Sequence, residues 1–535
     1  MKKTIVLGIH TMGHDTGACL FEDGRLLFAI ETERVTRVKH DSSAQVGIDH
    51  LLASTGVQPS DVTCVAFSTN VRNAIARIHD FERIEQDILS GSTLHAASRC
   101  ELFGRSIPCV VVAHEAAHAA VTCHFGGWRD RGLIMVNEGR GTFSRNSTFT
   151  YKSSKLSLVD CDGLPWFATG FAWSLIAHLI GYGWTPSAAG TIMALGAFAE
   201  ADERTRSVFR ETPARLHVMD RARQIMEGDP LHCYVRERTT FDEKASVVAT
   251  LQEMFTAENV AYAMRWLASE GCEWLGLGGG CALNLPTNTA LRRELMSDVT
   301  IPPNCNDSGQ AIGAAIYALS MCEGITPEPF DAYRCGRAVN EADIVEAAGR
   351  RGVRAQPYVS SIVTKRLAAG GVVALCQDRA ELGPRALGNR SLLASANVPG
   401  MRKRVSEEIK QREWFRPLAC VMRADRFHDR FGDAPESPYM LFSYDMPDGF
   451  APEATHRDGT SRIQTLDDRS NRRLAGLLSD YEAETGHTTL INTSLNARGR
   501  AIAYTADDVF DDFLGNGVDL FVFGDFMIDM PARSQ

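Results

Sequence analysis

Short apolar runs, punctuated by glycine, asparagine and aspartate, recur along the chain at spacings that predict alternating strands and helices. Residues 4–9 form a β-branched run. After a Gly13-His14-Asp15 loop come the apolar residues 18–21, an Asp23-Gly24 pair and the apolar residues 26–30. Apolar runs split by Asp-Gly predict a β-hairpin, here with a polar loop at the end of the first strand. The pattern returns at residues 133–136, with Glu138-Gly139-Arg140-Gly141 as the loop and residues 147–151 as the next strand. A third apolar run, 274–277, enters Gly278-Gly279-Gly280-Cys281-Ala282-Leu283-Asn284, a glycine-rich turn that opens a helix. Glycine lets backbone approach a nucleotide closely, so Gly279, Gly280 and Asn284 are candidate contacts; a purely structural tight turn is the alternative.

Residues 326–334 carry Pro327 and Pro329 and little periodicity, which marks the exit from this first unit and places a boundary near residue 340. Beyond it, 341–351 reads as a helix, 370–375 as a buried strand, 448–459 as a polar loop, 507–514 as a helix and 520–523 as a strand. Both parts, 1–340 and 341–535, are therefore predicted to be α/β.

At 535 residues the chain exceeds one ordinary core, so two domains or three lobes are expected. The 56 basic and 66 acidic residues give a net charge of −10, which argues against an extended nucleic-acid footprint while leaving local basic pockets open. The 14 cysteines lack any Cys-x-x-Cys pair or disulfide-like cadence and read as reduced core fillers. No apolar run approaches the ~20 residues of a membrane span, and the start of the chain passes directly into a strand without a signal-peptide pattern; a cytoplasmic location is expected.

Two regions stand out chemically. His114-Glu115-Ala116-Ala117-His118 lies among strong helix formers, placing two imidazoles one turn apart where they can chelate one metal ion. A pair of helix-face histidines is the alternative. Asp307, just before an Ala/Ile-rich helix, is the natural third ligand, or else a helix cap. The second region, residues 377–391, concentrates Arg379, Arg385 and Arg390 with glycines after an apolar strand, a composition suited to an oxyanion pocket, with a basic surface loop as the alternative. Further along come Lys410, Arg412, Arg416, Arg462 and Arg498, beside Asn, Thr and Ser turns that include Ser494.

The run Gly383-Pro384-Arg385-Ala386-Leu387-Gly388-Asn389-Arg390-Ser391 resembles the hallmark of the O-carbamoyltransferases of nodulation-factor and antibiotic biosynthesis. The resemblance extends over nearly the whole length: Gly13-His14-Asp15, the Glu33-to-Asp41 segment, His114 to His118, Asp307-Ser308-Gly309, Lys410 to Pro417, His456 to Arg462 and Asn492 to Asn496 follow in order. It implies an actin-like or sugar-kinase-like ATPase fold for 1–340 and a YrdC-like domain for 341–535. Two strand-loop-strand units separated by helical material are what the former fold would produce.

The resemblance further implies that His114, His118 and Asp307 hold a divalent metal against the nucleotide phosphates, iron foremost, with zinc or manganese compatible and magnesium accompanying ATP. It makes His14 a candidate base or orienter for an acceptor hydroxyl, with Lys39 beside it, and Arg385, Lys410, Arg416, Arg462, Ser494 and Arg498 candidate contacts for carbamoyl phosphate and ATP. The implied reaction joins carbamoyl phosphate and ATP into carbamoyl-adenylate, then passes the carbamoyl group along a protected route to a small-molecule hydroxyl, with a secondary metabolite the favoured acceptor. Three departures from the family pattern stand out: Thr191 for a common Lys, Glu138 for Asp and Leu495 for Phe. A tRNA-modifying threonylcarbamoyl-adenylate enzyme would need a basic RNA surface, which the charge disfavours. A non-catalytic actin-like regulator would leave the arginine motifs without a role. The acceptor, to which the aromatics at 171–173 and 181–184 are open, and the oligomeric state are not determined by these residues.

Overall fold

The computed structural model describes residues 3–11, 14–69, 75–184, 186–212, 230–295 and 298–530; Gly13 of the first loop and the initial Met1-Lys2 lie outside them. The chain forms two compact units. One comprises Met1–His79, Ala97–Val111 and Gln310–Gln535, the other Asp80–Ala96 and Val112–Gly309.

The first sheet contains β1 (Ile5–His10), β2 (Gly17–Glu22), β3 (Arg25–Glu31), β4 (Cys64–Ser68), β5 (Arg77–Ile78), β6 (His95–Leu102) and β7 (Arg105–Val112), ordered β3-β2-β1-β4-β7-β6-β5. All six residues of β1 are buried, as expected for a strand flanked on both edges, antiparallel to β2 and parallel to β4. Asp23 (φ 50°) and Gly24 (φ 89°) make the two-residue turn between β2 and β3, where positive φ at both positions matches the twist of the strands. The helix Gln310–Tyr317, buried at every residue, packs on β1 at Gly8, where an added Cβ would stand 2.2 Å from the Ala311 carbonyl oxygen. Gly8→Val is accordingly expected to cost at least about 1–3 kcal/mol, seen as a lower urea midpoint with an unchanged slope.

The second unit holds β8 (Gly132–Asn137), β9 (Asn146–Lys152), β10 (Lys155–Cys161), β11 (Trp274–Gly278) and β12 (Asp298–Thr300), ordered β10-β9-β8-β11-β12. Its antiparallel β8-β9-β10 meander with β11 parallel to β8 repeats β1-β2-β3 with β4. This duplication is the sheet pattern of the actin-like ATPase architecture expected from the two hairpins. The helix His114–Phe125 is buried from His114 through His124 and packs on β11, where added Cβ atoms at Gly276 and Gly278 would meet Thr122 at 2.6 and 3.0 Å. Alternating glycines thus clear one face of β11 for an alanine-rich helix.

The remaining strands, β13 (Gln356–Pro357), β14 (Val373–Cys376), β15 (Arg390–Ser395), β16 (Ala419–Arg423), β17 (Ser443–Asp445), β18 (Thr460–Leu466), β19 (Leu490–Ser494), β20 (Leu520–Phe523) and β21 (Phe526–Asp529), form a nine-stranded mixed sheet ordered β13-β21-β20-β14-β15-β19-β16-β18-β17. Helices Ser360–Ala368 and Arg472–Thr485 cover it through Val363, Leu367, Leu474 and Leu478 against Val373, Leu375 and Leu393. All 14 cysteines are free thiols. Among the described residues no helix is long and apolar enough to cross a membrane.

Candidate functional site

In the second unit, the N-terminus of the helix His114–Phe125 meets the loop after β8 and the short turn Asp307–Gly309. His114 and His118 present their Nε2 atoms 3.2 Å apart, and Asp307 Oδ1 lies 3.3 and 3.4 Å from them. Glu138 joins them, its Oε1 standing 2.9 Å from His118 Nε2 and accepting a 2.6 Å hydrogen bond from the Gly280 N–H. The four residues are buried, and their ligand atoms lie within 4.8 Å of one another, a donor set that can hold a metal ion. Burial alone would lower the His118 pKa, but hydrogen bonds and charge from Asp307 and Glu138 hold it up at about 9.

Glu115, between the histidines, is engaged elsewhere. Its Oε1 accepts from the N–H groups of Phe143 (3.0 Å) and Ser144 (3.2 Å), and Gly141 packs so close that an added Cβ would stand 2.2 Å from it. The carboxylate therefore shapes the 138–145 loop that delivers Glu138. Gly279 (φ 87°) approaches the Asn137 carbonyl oxygen to 2.4 Å of where a Cβ would be, a position closed to other residues. Asn284 Oδ1 accepts from Thr287 N at 3.1 Å, capping the helix Leu285–Leu295. Thr191 bonds the Ser187 carbonyl one turn back, and Leu495 is a fully buried core residue.

In the first unit, the hallmark loop folds around Glu381, whose Oε1 accepts from the N–H groups of Leu387 (2.8 Å), Asn389 (3.2 Å) and Arg390 (3.1 Å). Arg390 is fully buried and spends its guanidinium on carbonyl oxygens, at 2.6 Å from Gln377 and 3.0 Å from Asn389. Asn389 and Arg390 of the hallmark thus build the loop, and Arg385 is its arginine within the cationic cluster. Lys410 is likewise buried, its ammonium donating to Ser494 O, Asn496 O (2.8 Å) and Asn496 Oδ1 (2.9 Å), so that it organises the 492–496 turn.

Arg385, Arg412, Arg416 and Arg462 form the electrostatic centre. Burial and then the charges of Arg416 and Arg385 lower the Arg412 pKa to about 9. Burial followed by Arg385, Arg412 and Arg416 lowers that of Arg462 well below its usual value. Among the described residues, the Arg412 guanidinium makes only long hydrogen bonds, 3.4 Å to Thr493 Oγ1 and 3.3 Å to Ser494 Oγ. Glu413 is the local counter-charge, 3.6 Å from Arg416 and 3.2 Å from the exposed Arg498. Because a guanidinium keeps its proton in proteins, an anion placed here would relieve this repulsion.

His14 Nδ1 lies 3.2 Å from Asp15 Oδ2, and Asp15 Oδ1 is 2.7 Å from His40 Nδ1. The His40 N–H donates to Glu33 Oε2 at 2.8 Å. Withdrawal from water, and then Arg416 and Arg412, lower the Lys39 pKa, although its side chain keeps contact with solvent. The sequence reading missed Glu138 as a partner of the histidines and Asp15 and His40 as partners of His14. The only signals available were the position of Glu138 in the second hairpin loop and the Lys39-His40 pair.

Comparison with known proteins gives a consistent result. A family model for the carbamoyltransferase N-terminus matches residues 5–82 and 105–316, and one for the carbamoyltransferase C-terminus matches 364–530. Nodulation protein U of Rhizobium fredii is 30% identical over 91% of this chain and 89% of its own length. A 3'-hydroxymethylcephem-O-carbamoyltransferase of Amycolatopsis lactamdurans is 28% identical over 96% of this chain and 97% of its own. Among solved structures, the (R)-2-hydroxyglutaryl-CoA dehydratase component A of Acidaminococcus fermentans aligns with 59% of this chain and 97% of its own at 14% identity and a TM-score of 0.34.

Proposed function

Because this chain belongs to the carbamoyltransferase family, and is therefore a transferase, we propose that it activates carbamoyl phosphate with ATP and passes the carbamoyl group to a hydroxyl of a small molecule, a secondary metabolite above all. The observation that carries this reading is the convergence of Arg385, Arg412, Arg416 and Arg462, where burial and then mutual repulsion depress the pKa of Arg412 and Arg462. Bringing two polyanions together requires such a fixed cation cluster.

For atoms to balance, carbamoyl phosphate loses phosphate to water. The resulting carbamate oxygen attacks the α-phosphorus of ATP, pyrophosphate leaves, and carbamoyl-adenylate forms. The acceptor hydroxyl then attacks the carbamoyl carbon, its proton leaves to a base and AMP is released. His14, held by Asp15, is assigned as that base or its orienter, and Arg498, Ser494 and the Lys410-ordered turn as walls of the activation pocket. The same reading divides the chain near residue 340, between the limits of the two family models, into a transfer part and a YrdC-like activation part.

His114, His118, Asp307 and Glu138 fit a divalent metal, with Fe(II) favoured by the resemblance and Zn(II) or Mn(II) allowed by the donors. When bound, such an ion supplies positive charge for phosphate oxygens. Gly279 and Gly280 are assigned to the nucleotide's surroundings and Asn284 to the helix that follows. The direct test is mass spectrometry of protein incubated with ATP and carbamoyl phosphate, without acceptor. Carbamoyl-adenylate, AMP and pyrophosphate are expected; their absence with metal supplied would overturn the activation step. Trapping of the adenylate by added hydroxylamine during turnover with acceptor would instead overturn the protected route.

A further inference from the structure

The helix Gly170–Leu179 begins against the loop that delivers Glu138. The Gly170 N–H donates to the Glu138 carbonyl at 3.0 Å, and a Cβ added at Gly170 would stand 2.6 Å from the Gly139 nitrogen, so the two backbones touch. Eight of the ten helical residues are buried; Ser174 and His178, one turn apart, are the two that reach solvent. Phe171 lies on the same face, one turn before Ser174.

Trp184 follows the helix and covers this face. Its indole stacks on the His178 imidazole, with ring centroids 4.9 Å apart and planes inclined by 23°, and it lies 6.4 Å from the Phe171 ring. On the other side, the Arg145 guanidinium sits 4.0 Å from the Phe171 centroid. Arg145 also closes the Glu138 loop, its carbonyl accepting the Glu138 N–H at 2.7 Å. A guanidinium and three rings thus run without a break from the loop of the metal ligand Glu138 to the surface, where Trp184 is 39% exposed. A tryptophan that served only to cover its helix would leave less of its ring in water.

Cations border this shelf. The helix Pro230–Arg236 packs on Gly170–Leu179 and carries His232 and Arg236 one turn apart. Burial, and then Arg236 and His232, lower the His178 pKa, so the stacked imidazole is neutral at neutral pH. Asp162, whose Oδ1 accepts from the Arg145 backbone N–H at 2.9 Å, is the acid on the Arg145 side. Aromatic faces attract cations, but Arg145 already fills that role on Phe171, and a cationic ligand would also meet Arg236.

We infer that Phe171, His178 and Trp184 form an acceptor subsite, a shelf beside the Glu138 loop that takes a ring-bearing hydroxyl compound by its ring face and selects neutral or acidic acceptors over cationic ones. This rests on the transfer reading above and adds to it the class of acceptor.

The test is calorimetric titration of the full chain, without ATP or carbamoyl phosphate, with phenyl β-D-glucoside, phenyl β-D-glucuronide and phenyl β-D-glucosaminide. The three share a ring and sugar hydroxyls and differ in charge. Wild type is expected to bind the first two, and the cationic glucosaminide at least about threefold more weakly than the glucuronide. Trp184→Ala should weaken the glucoside and the glucuronide about three- to tenfold, the scale of one lost aromatic stack, and Trp184→Phe should restore most of that loss. If Trp184→Ala melts early, Trp184→Leu, which covers the helix but offers no ring, takes its place beside Trp184→Phe. Wild type that binds none of the three, or a ringless variant that binds them as tightly as wild type, overturns the subsite. Tightest binding of the glucosaminide overturns the selection by charge. A wild type that releases no AMP from ATP and carbamoyl phosphate counts against the activation step alone, since the titrations involve neither substrate.

Discussion

Replacing Arg412 by glutamine is expected to lower kcat/KM for carbamoyl phosphate by about 10²–10³, while leaving the melting temperature in phosphate-free buffer unchanged or higher. The two halves of this result have one cause. Arg412 is buried beside Arg416 and Arg385, its pKa is lowered to about 9, and its own hydrogen bonds are long, 3.3 and 3.4 Å. In the free protein it is therefore a source of repulsion, and its removal relieves Arg462 as well. When the substrate oxyanion is present, the same guanidinium supplies charge in a preorganised site, where loss of one donor costs about 3–4 kcal/mol of transition-state stabilisation. Arg390→Gln should behave in the opposite way. Arg390 is fully buried and bonded to carbonyl oxygens, so its loss leaves several acceptors unpaired and should lower the melting temperature. Thermal melts with and without pyrophosphate, beside steady-state kinetics, separate the two arginines. Lower stability of Arg412→Gln in phosphate-free buffer would make it a structural residue.

That contrast marks where sequence reasoning stops. Both arginines stand among small polar residues in recognisable motifs, and nothing local distinguishes the one that builds the loop from the one that meets the anion. The distinction comes from carbonyl groups brought in by strand pairing and by Arg337 and Tyr504, far away in the chain. The hairpins were legible because β-branched runs and an Asp-Gly pair act over a few residues: 4–9 became β1 (Ile5–His10) and 133–136 became β8 (Gly132–Asn137). The helix Phe241–Glu270 was not predicted, although Thr240 and Glu243 form a capping box at its start, because it packs against neighbours on several sides and shows no single apolar stripe. Glu138 was legible only as a departure from Asp. Its role depends on Glu115 folding the loop, and on a longer side chain reaching both Gly280 and His118. Leu495, another departure, proves to be a buried filler.

The histidine pair yields the second large effect. His118→Ala and Asp307→Asn are expected to reduce tightly bound Fe(II), Zn(II) or Mn(II) from about one ion per chain to less than about a tenth, measured by elemental analysis after dialysis against micromolar metal. Glu138→Gln should retain some binding, since His114, His118 and Asp307 still converge within 3.4 Å contacts. Stability should respond in the same order. A site saturated at about 100 times its dissociation constant contributes about 2.7 kcal/mol through linkage, so chelation should lower the wild-type midpoint but not that of Asp307→Asn. His118→Ala should be the least stable without metal. With its pKa held at about 9, His118 is the cation that Asp307 and Glu138 share, and removing it leaves buried carboxylates uncompensated, at about 3–5 kcal/mol. The arginine pocket is built from none of these four residues, so acceptor-free AMP release should stay within about twofold of wild type in folded Asp307→Asn protein. Loss of AMP release together with metal would instead assign the metal to the activation step.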